Sequence, residues 1–334
     1  MSGRIITARV VNAVFFPLDS RWRLDSSRLS AELSKQVVWL SGMLPFAHAS
    51  RVLERLAQVQ IPTTTLWEQT QRQGQRLQAE VEHQREQVSV ERTRWEHWRY
   101  DPRLFRSRSL DGGMVNIRGE GWKEMKVGVV SAMSHDWQAE QPVIHLTDLD
   151  YTAVIGNVQA FAPAYWALAV QHDVPYAGRT AVTADGAPWI WRLCADLFPC
   201  STQIVDWYHA RQQLAQAATA RHPHCEQAAK HWFEQMSQPL FDGEIWKIIA
   251  DLQAHDCAAN ATYFTTHQRR MQYVQFRAEG YPIGSGAVES GIKQFKQRLS
   301  GAGMRWSRTG AERMTVIRPA VLTNSLDQLW QQAA

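Results

Sequence analysis

Cysteine is scarce in this chain. Four residues, Cys194, Cys200, Cys225 and Cys257, occur in 334, and no two form a CxxC pair. That spacing argues against a structural zinc module or a disulfide frame and fits a reducing compartment. Long apolar runs are also missing. No stretch approaches the roughly 20 apolar residues that a membrane span needs, and Met1–Val10 has no apolar leader segment. Neither GxGxxG nor the P-loop pattern GxxxxGK occurs, so a nucleotide-binding α/β enzyme has no support. Excess charge is slight. The formal net charge is +4, a bias toward polyanions too weak to identify one.

What remains reads as globular. Hydrophobic residues make up 45% and charged ones 20%, and the length allows two or three domains. Fifteen tryptophans are present. Most suit a core, and an exposed one could stack on a base.

The most informative stretch is 180–209. Thr180–Ala184 is short, apolar and β-branched, and ends at Asp185-Gly186. This reads as a buried strand delivering a carboxylate to a sheet edge. Pro188 suits a helix first turn, Trp189, Leu193 and Leu197 recur at helical spacing, and Pro199 stops the helix. Gln203-Ile204-Val205 is a second strand ending on Asp206, with a helix expected from Trp207 and His209 in its first turn. Open α/β sheets bind ligands at such an edge. Taken singly, Asp185 and Asp206 read first as a turn residue and a helix cap.

Upstream, residues 29–62 carry two helical patterns, Leu29–Met43 and Pro45–Leu56. Thr65 and Glu68 have capping-box spacing, so a third helix is expected there. Helix, turn, capped helix outlines a helix-turn-helix, with Gln69, Gln71, Arg72 and Gln75 as candidate base readers; a plain all-α packing domain is the alternative. A long polar helix over 70–98 serves as a connector or a self-association seam. Strands are expected over Arg103–Ile117, Lys126–Met133 and Val143–Leu146, and a helix over Thr152–Leu168. Residues 210–280 are mostly helical, an all-α insertion. In 281–318, glycines accompany Lys293, Lys296, Arg298, Arg305, Arg308, Arg313 and Arg318, which outnumber Glu289 and Glu312. Such a run suits phosphate contact, with Trp306 beside it. Glu289 falls early in a helix with Ile292, Phe295 and Leu299.

Asp111, Asp185 and Glu289 thus come from three separate elements. Hard cations such as Mg²⁺ take carboxylate oxygens, and two ions about 4 Å apart can drive phosphoryl transfer. The cluster His222, His224, Cys225 and His231 fits no common zinc spacing.

Several runs carry a resemblance: Asp111-Gly112-Gly113-Met114-Val115, Ala184-Asp185-Gly186-Ala187-Pro188-Trp189-Ile190-Trp191, Asp206-Trp207-Tyr208-His209, and Tyr281 through Ser290 into Ser300-Gly301-Ala302-Gly303-Met304-Arg305-Trp306-Ser307. Over roughly residues 15–330 the chain resembles a DDE transposase of the ISKra4 family, in the IS256/Mutator-like superfamily. The resemblance implies an α/β, RNase H-like catalytic core with an all-α insertion, preceded by an all-α, helix-turn-helix-like region. It implies the catalytic and metal-binding triad Asp111, Asp185 and Glu289 with two Mg²⁺ (or Mn²⁺) ions, and Asp206 and His209 as an auxiliary pair matching a (C/D)-x2-H motif. DNA contacts fall to Arg72, Lys293, Lys296, Arg298, Arg305, Arg308 and Arg313. The partners implied are transposon ends and target DNA, with a homodimer or higher oligomer on DNA, no membrane, and a bacterial cytoplasm, associated with the nucleoid.

The expected organisation is 1–28 as an irregular remnant of a truncated module, 29–100 as the helical DNA-binding region with its connector, 101–209 as the first part of the core, 210–280 as the insertion, and 281–334 as the last core helix with a basic C-terminal region. Family members carry a cysteine-rich segment before the position of Phe16-Pro17, and this chain has no cysteine before Cys194. A metal-dependent nuclease without strand transfer, and a truncated copy acting as a DNA-binding repressor, are the competing readings.

Overall fold

The computed structural model describes residues 29–88, 100–138 and 141–333. Residues 1–28, expected to be an irregular remnant, and the end of the expected connector helix lie outside the described residues. The chain divides into two compact units. One comprises the described residues up to Glu82 with those from Thr309 onward; the other runs from His83 to Arg308.

The first unit is all helical. Ala31–Met43 opens it, its N-terminus capped by Ser30, whose hydroxyl accepts from the Leu33 amide. Phe46–Val52 runs into a π turn, Leu53–Ala57, which ends at left-handed Gln58 (φ 55°). The next helix is Thr63–Gln87. It starts two residues before the expected Thr65 cap, because Thr63 directly follows Pro62 and the Pro62 carbonyl already accepts from Leu66. Val37, Ala49, Leu53, Ile61 and Leu66 form the core.

Residues 281–334, grouped as one segment by sequence, are divided by packing at Arg308/Thr309. Most of the helix Arg308–Leu322 belongs with the first unit. Its Arg318, 3% exposed, donates to the Gly42 carbonyl at 2.9 Å. Arg313 donates to Gln71 and Gln75 at 3.3 and 3.1 Å. Gln69 and Gln71 are buried. They fill the unit's interior and do not stand free as base-reading side chains.

The second unit is built on one mixed sheet of order β3-β2-β1-β4-β5. The strands are β1 Asp101–Ile117, β2 Gly121–Gln138, β3 Gln141–Ile155, β4 Ala177–Ala184 and β5 Thr202–Val205. β1, β2 and β3 pair antiparallel, while β1 with β4 and β4 with β5 pair parallel. The expected helix over Thr152–Leu168 is corrected. Thr152–Ile155 completes β3, where Ile155 pairs with Met125, and the helix is Val158–Gln171. The residues Tyr151, Thr152, Val154 and Ile155 are aromatic or β-branched and suit a pleated strand. Asn157 then caps the helix by accepting from the Ala160 amide.

Phe161 and Tyr165 of that helix join Leu110, Val130 and Val182 in the main core. The region expected as an insertion is helical: Trp207–Arg221, Glu226–Asp242, Ile245–Ala254, Ala258–His267 and Tyr273–Ala278. Its Trp232, Leu240, Ile248 and Phe264 are continuous with the same core, so it is not a separate unit. The chain then returns to the sheet with the helix Gly286–Leu299. Val288, Ile292, Phe295 and Leu299 form its buried face, and Phe295 meets Tyr151 of β3 edge-on at 6.3 Å.

Candidate active site

Strand register builds the site. The parallel pairing of β1 with β4 reaches Ser109↔Thr183, and that of β4 with β5 reaches Ala184↔Val205. Continuing each register to the next residues sets Asp111, Asp185 and Asp206 abreast where β4 and β5 end. Local chemistry ends those strands. The Asp185 carboxylate accepts from the Ala187 amide at 2.9 Å, closing a turn through Gly186 (φ 104°) ahead of the helix Pro188–Leu197. Asp206 accepts from the His209 amide at 2.9 Å and caps the following helix. Turn residue and helix cap are therefore both real roles of these acids.

Glu289 reaches the row from the other side of the insertion. A Cβ on Gly113, two residues beyond Asp111 and on its face of β1, would lie 3.5 Å from Lys296 Cε and 3.7 Å from Ile292 Cδ1. The helix carrying Glu289 therefore lies against that face. Glu289 Oε1 stands 3.7 Å from His209 Nε2. Ligand atoms of Asp206, His209 and Glu289 lie within 4.8 Å of one another. Among the described residues this is the group of three such side chains that gathers so closely, in place of the expected Asp111, Asp185 and Glu289. Asp111 and Asp185 are neighbours by register, and Glu289 has His209 and Asp206 as its neighbours.

Electrostatics mark Asp111. Burial pushes its carboxyl above the usual range, and the charge of Asp185 pushes the same way. A hydrogen bond from the Gly112 amide at 2.6 Å and the charges of His209 and Lys296 act in opposition.

The expected DNA-contact residues fall into two sets. Lys293, Lys296 and Arg305 are exposed in the second unit, and Arg72 is exposed in the first. Arg298 is 2% exposed and lies over the Trp306 ring at 4.9 Å. That guanidinium packs inside the fold and does not face a polyanion. Trp306 is equally structural. Its indole donates to the Leu299 carbonyl, and its backbone extends the end of β1 at Asn116 and Arg118. Arg308 is paired with Glu120, and Arg313 is held by the two glutamines described above.

Sequence reasoning passed over two residues of the insertion. Tyr263 donates to the Asp185 carbonyl at 3.4 Å, and His267, 5% exposed, packs beside its ring. Burial, with the Arg270 charge, lowers His267 from its ordinary 6.5 to about 4. Nothing in the spacing of helix Ala258–His267 pointed to the turn at Asp185, which lies far away in sequence.

No family model matches this chain, and no curated protein matches it. Among the described residues no helix is long and apolar enough to cross a membrane.

Proposed function

We propose that this chain is an insertion-sequence transposase of the DDE type, which cuts and joins DNA strands with magnesium or manganese ions. The observation that carries the reading is the placement of Asp111 and Asp185 abreast on adjacent parallel strands, with Glu289 on the helix packed against the same β1. The sheet order β3-β2-β1-β4-β5, with an all-α segment between β5 and the Glu289 helix, supports an RNase H-like core. The helical first unit takes the helix-turn-helix-like role at element ends. Function is argued from the site, since fold alone does not fix it.

The donor set fits a hard divalent cation. Asp111 is partly desolvated beside a second carboxylate, a repulsion that a cation relieves, and its oxygens are the ligands such ions prefer. Asp111 and Asp185 would hold the ions and Glu289 would complete one site. When bound, the ions activate an attacking oxygen and stabilise the leaving one. Lys296, beside Asp111, and the exposed Lys293 and Arg305 hold the DNA backbone. His209 orients Glu289. In the first reaction water adds to phosphorus at the element end and the bond to the 3′-oxygen breaks. In the second, that freed 3′-hydroxyl adds to a target phosphorus and the target's own 3′-oxygen leaves.

The test incubates the protein with Mg²⁺ or Mn²⁺ and DNA carrying the flanks of its coding sequence. Nicked and joined products are expected, and Asp185→Asn should lose nicking by about three orders of magnitude or more. Nicking without joined products would reduce the protein to a nuclease. Binding with no nicking would make it a repressor and refute the proposal.

A further inference from the structure

We infer that Asp206 is a positioning residue, a latch that fixes where the Glu289 helix begins, and that it is not itself a metal ligand. The inference rests on the reading above for what Glu289 does, but the latch is a feature of the fold.

Asp206 is a fully buried carboxylate. Both of its oxygens are engaged by backbone amides. Oδ1 accepts from His209 in the adjoining helix, and Oδ2 accepts from Ser285, on the far side of the all-α segment. The Ser285 amide lies at the N-terminal boundary of the Glu289 helix. The same loop is tied twice more to the ends of β4 and β5. Thr183 donates through its hydroxyl to the Pro282 carbonyl at 3.0 Å, inside the core, and the Trp207 amide donates to the Ile283 carbonyl at 2.8 Å. The returning chain is thus clamped residue by residue against the strand ends that carry the aspartates.

A buried carboxylate is costly unless its charge is matched by donors, and two amide donors supply that here. Each oxygen keeps a second lone pair. Yet both oxygens of Asp206 are tied to backbone amides and the side chain is fully buried, whereas Asp111 and Asp185 are only half-buried, and that combination argues against a ligand role for Asp206. The Asp206, His209 and Glu289 gathering is better divided than shared. Asp206 sets the backbone, while His209 and Glu289 are left facing the site.

The chemistry of the amide offers a selective probe. Asparagine caps helices about as well as aspartate, so Asp206→Asn keeps the His209 tie. Its NH₂ group then faces the Ser285 N–H, donor against donor, and the latch opens. A hydrogen bond to a charged group is worth enough to protect an amide by on the order of 10- to 100-fold. Hydrogen exchange, read on the full-length protein without DNA, should therefore speed up by that factor at Ser285 and through residues 286–289. Exchange over 210–221 should stay unchanged. Thr183→Val removes a neutral tie to the same loop and leaves Asp206 intact. It should loosen the same amides by a smaller factor, about 5-fold.

Mn²⁺ binding, followed by the electron paramagnetic resonance of the free ion, supplies the second readout. The latch predicts that Asp206→Asn still binds Mn²⁺, with a raised half-saturating concentration, while Glu289→Gln weakens binding with the loop's exchange unaltered. Unchanged exchange at Ser285 in Asp206→Asn overturns the latch. Loss of Mn²⁺ binding with the loop still protected makes Asp206 a ligand and also overturns it. If wild type shows the exchange pattern but never nicks DNA, the functional reading fails and the latch stands.

Discussion

Gly291 is the position where a single methyl group should separate stability from activity. It lies inside the Glu289 helix, against Tyr151 of β3. A Cβ there would stand 2.5 Å from Tyr151 Cε1 and 3.1 Å from Cδ1. Carbon atoms prefer separations of about 3.5–4.0 Å, so helix or ring must give way by roughly 1 Å. Overpacking of this kind costs about 1–3 kcal/mol. Alanine returns about 1 kcal/mol of helix propensity. The net loss for Gly291→Ala is therefore about 0–2 kcal/mol, a few degrees in Tm. Glu289, two residues earlier, moves with the helix. A 1 Å displacement at a reacting centre costs on the order of 10²-fold in rate. Single-turnover nicking at saturating Mg²⁺, beside a thermal melt, reads both quantities. Tyr151→Val makes room and keeps a strand-forming residue, so the double variant should recover most of the rate. A wild-type rate in Gly291→Ala, or a loss that persists in the double variant, would refute the reasoning.

The remaining predictions concern charge. Asp111→Asn removes a carboxylate whose folded pKa is raised, so its ionisation weakens the metal-free fold as pH climbs from the ordinary carboxylate value through the raised one. The variant should melt higher than wild type at pH 7 without metal and gain less from added Mg²⁺, which at 100 times its Kd stabilises wild type by about 2.7 kcal/mol; differential scanning calorimetry checks both. His267 has a folded pKa lowered to about 4 from 6.5. It adds stability above pH 6.5 that is lost as pH falls toward 4, so His267→Gln should flatten the acid limb of a urea-midpoint profile. Arg298→Ala should cost about 2–4 kcal/mol by chemical denaturation and leave the salt slope of DNA binding unchanged. Lys293→Ala with Lys296→Ala should leave stability within about 0.5 kcal/mol and lower that slope by about 2.

Much of the candidate site was legible because its signals are local. An apolar β-branched run followed by Asp-Gly declares a strand end, and Asp206 three residues before His209 declares a helix cap. Both hold in the structure. The burial of Arg298 left a trace too. It falls seven residues after Gly291, on the inward face of the helix, although its basic neighbours gave it the look of a solvated run. The early end expected for β3 missed that Tyr151 through Ile155 pairs with β2, a contact that strand propensity hints at but only a partner strand decides. Gln69 and Gln71, polar and set like readers of bases, are buried, because the side of a helix that faces inward depends on what packs against it.

The sequence by itself determined most of the pieces: the main extended and helical segments apart from the end of β3, the acids that follow β4 and β5, and the apolar residues on the inward face of the Glu289 helix. Those follow from hydrogen bonds and side-chain periods that span a few residues. The tertiary structure alone decided that Asp111, Asp185 and Asp206 stand abreast, that Ser285 returns to Asp206, and that Glu289 meets His209. Those contacts join residues far apart in the chain. Their free energy is gained only when the whole sheet and its helices close together, so no short window of sequence carries it.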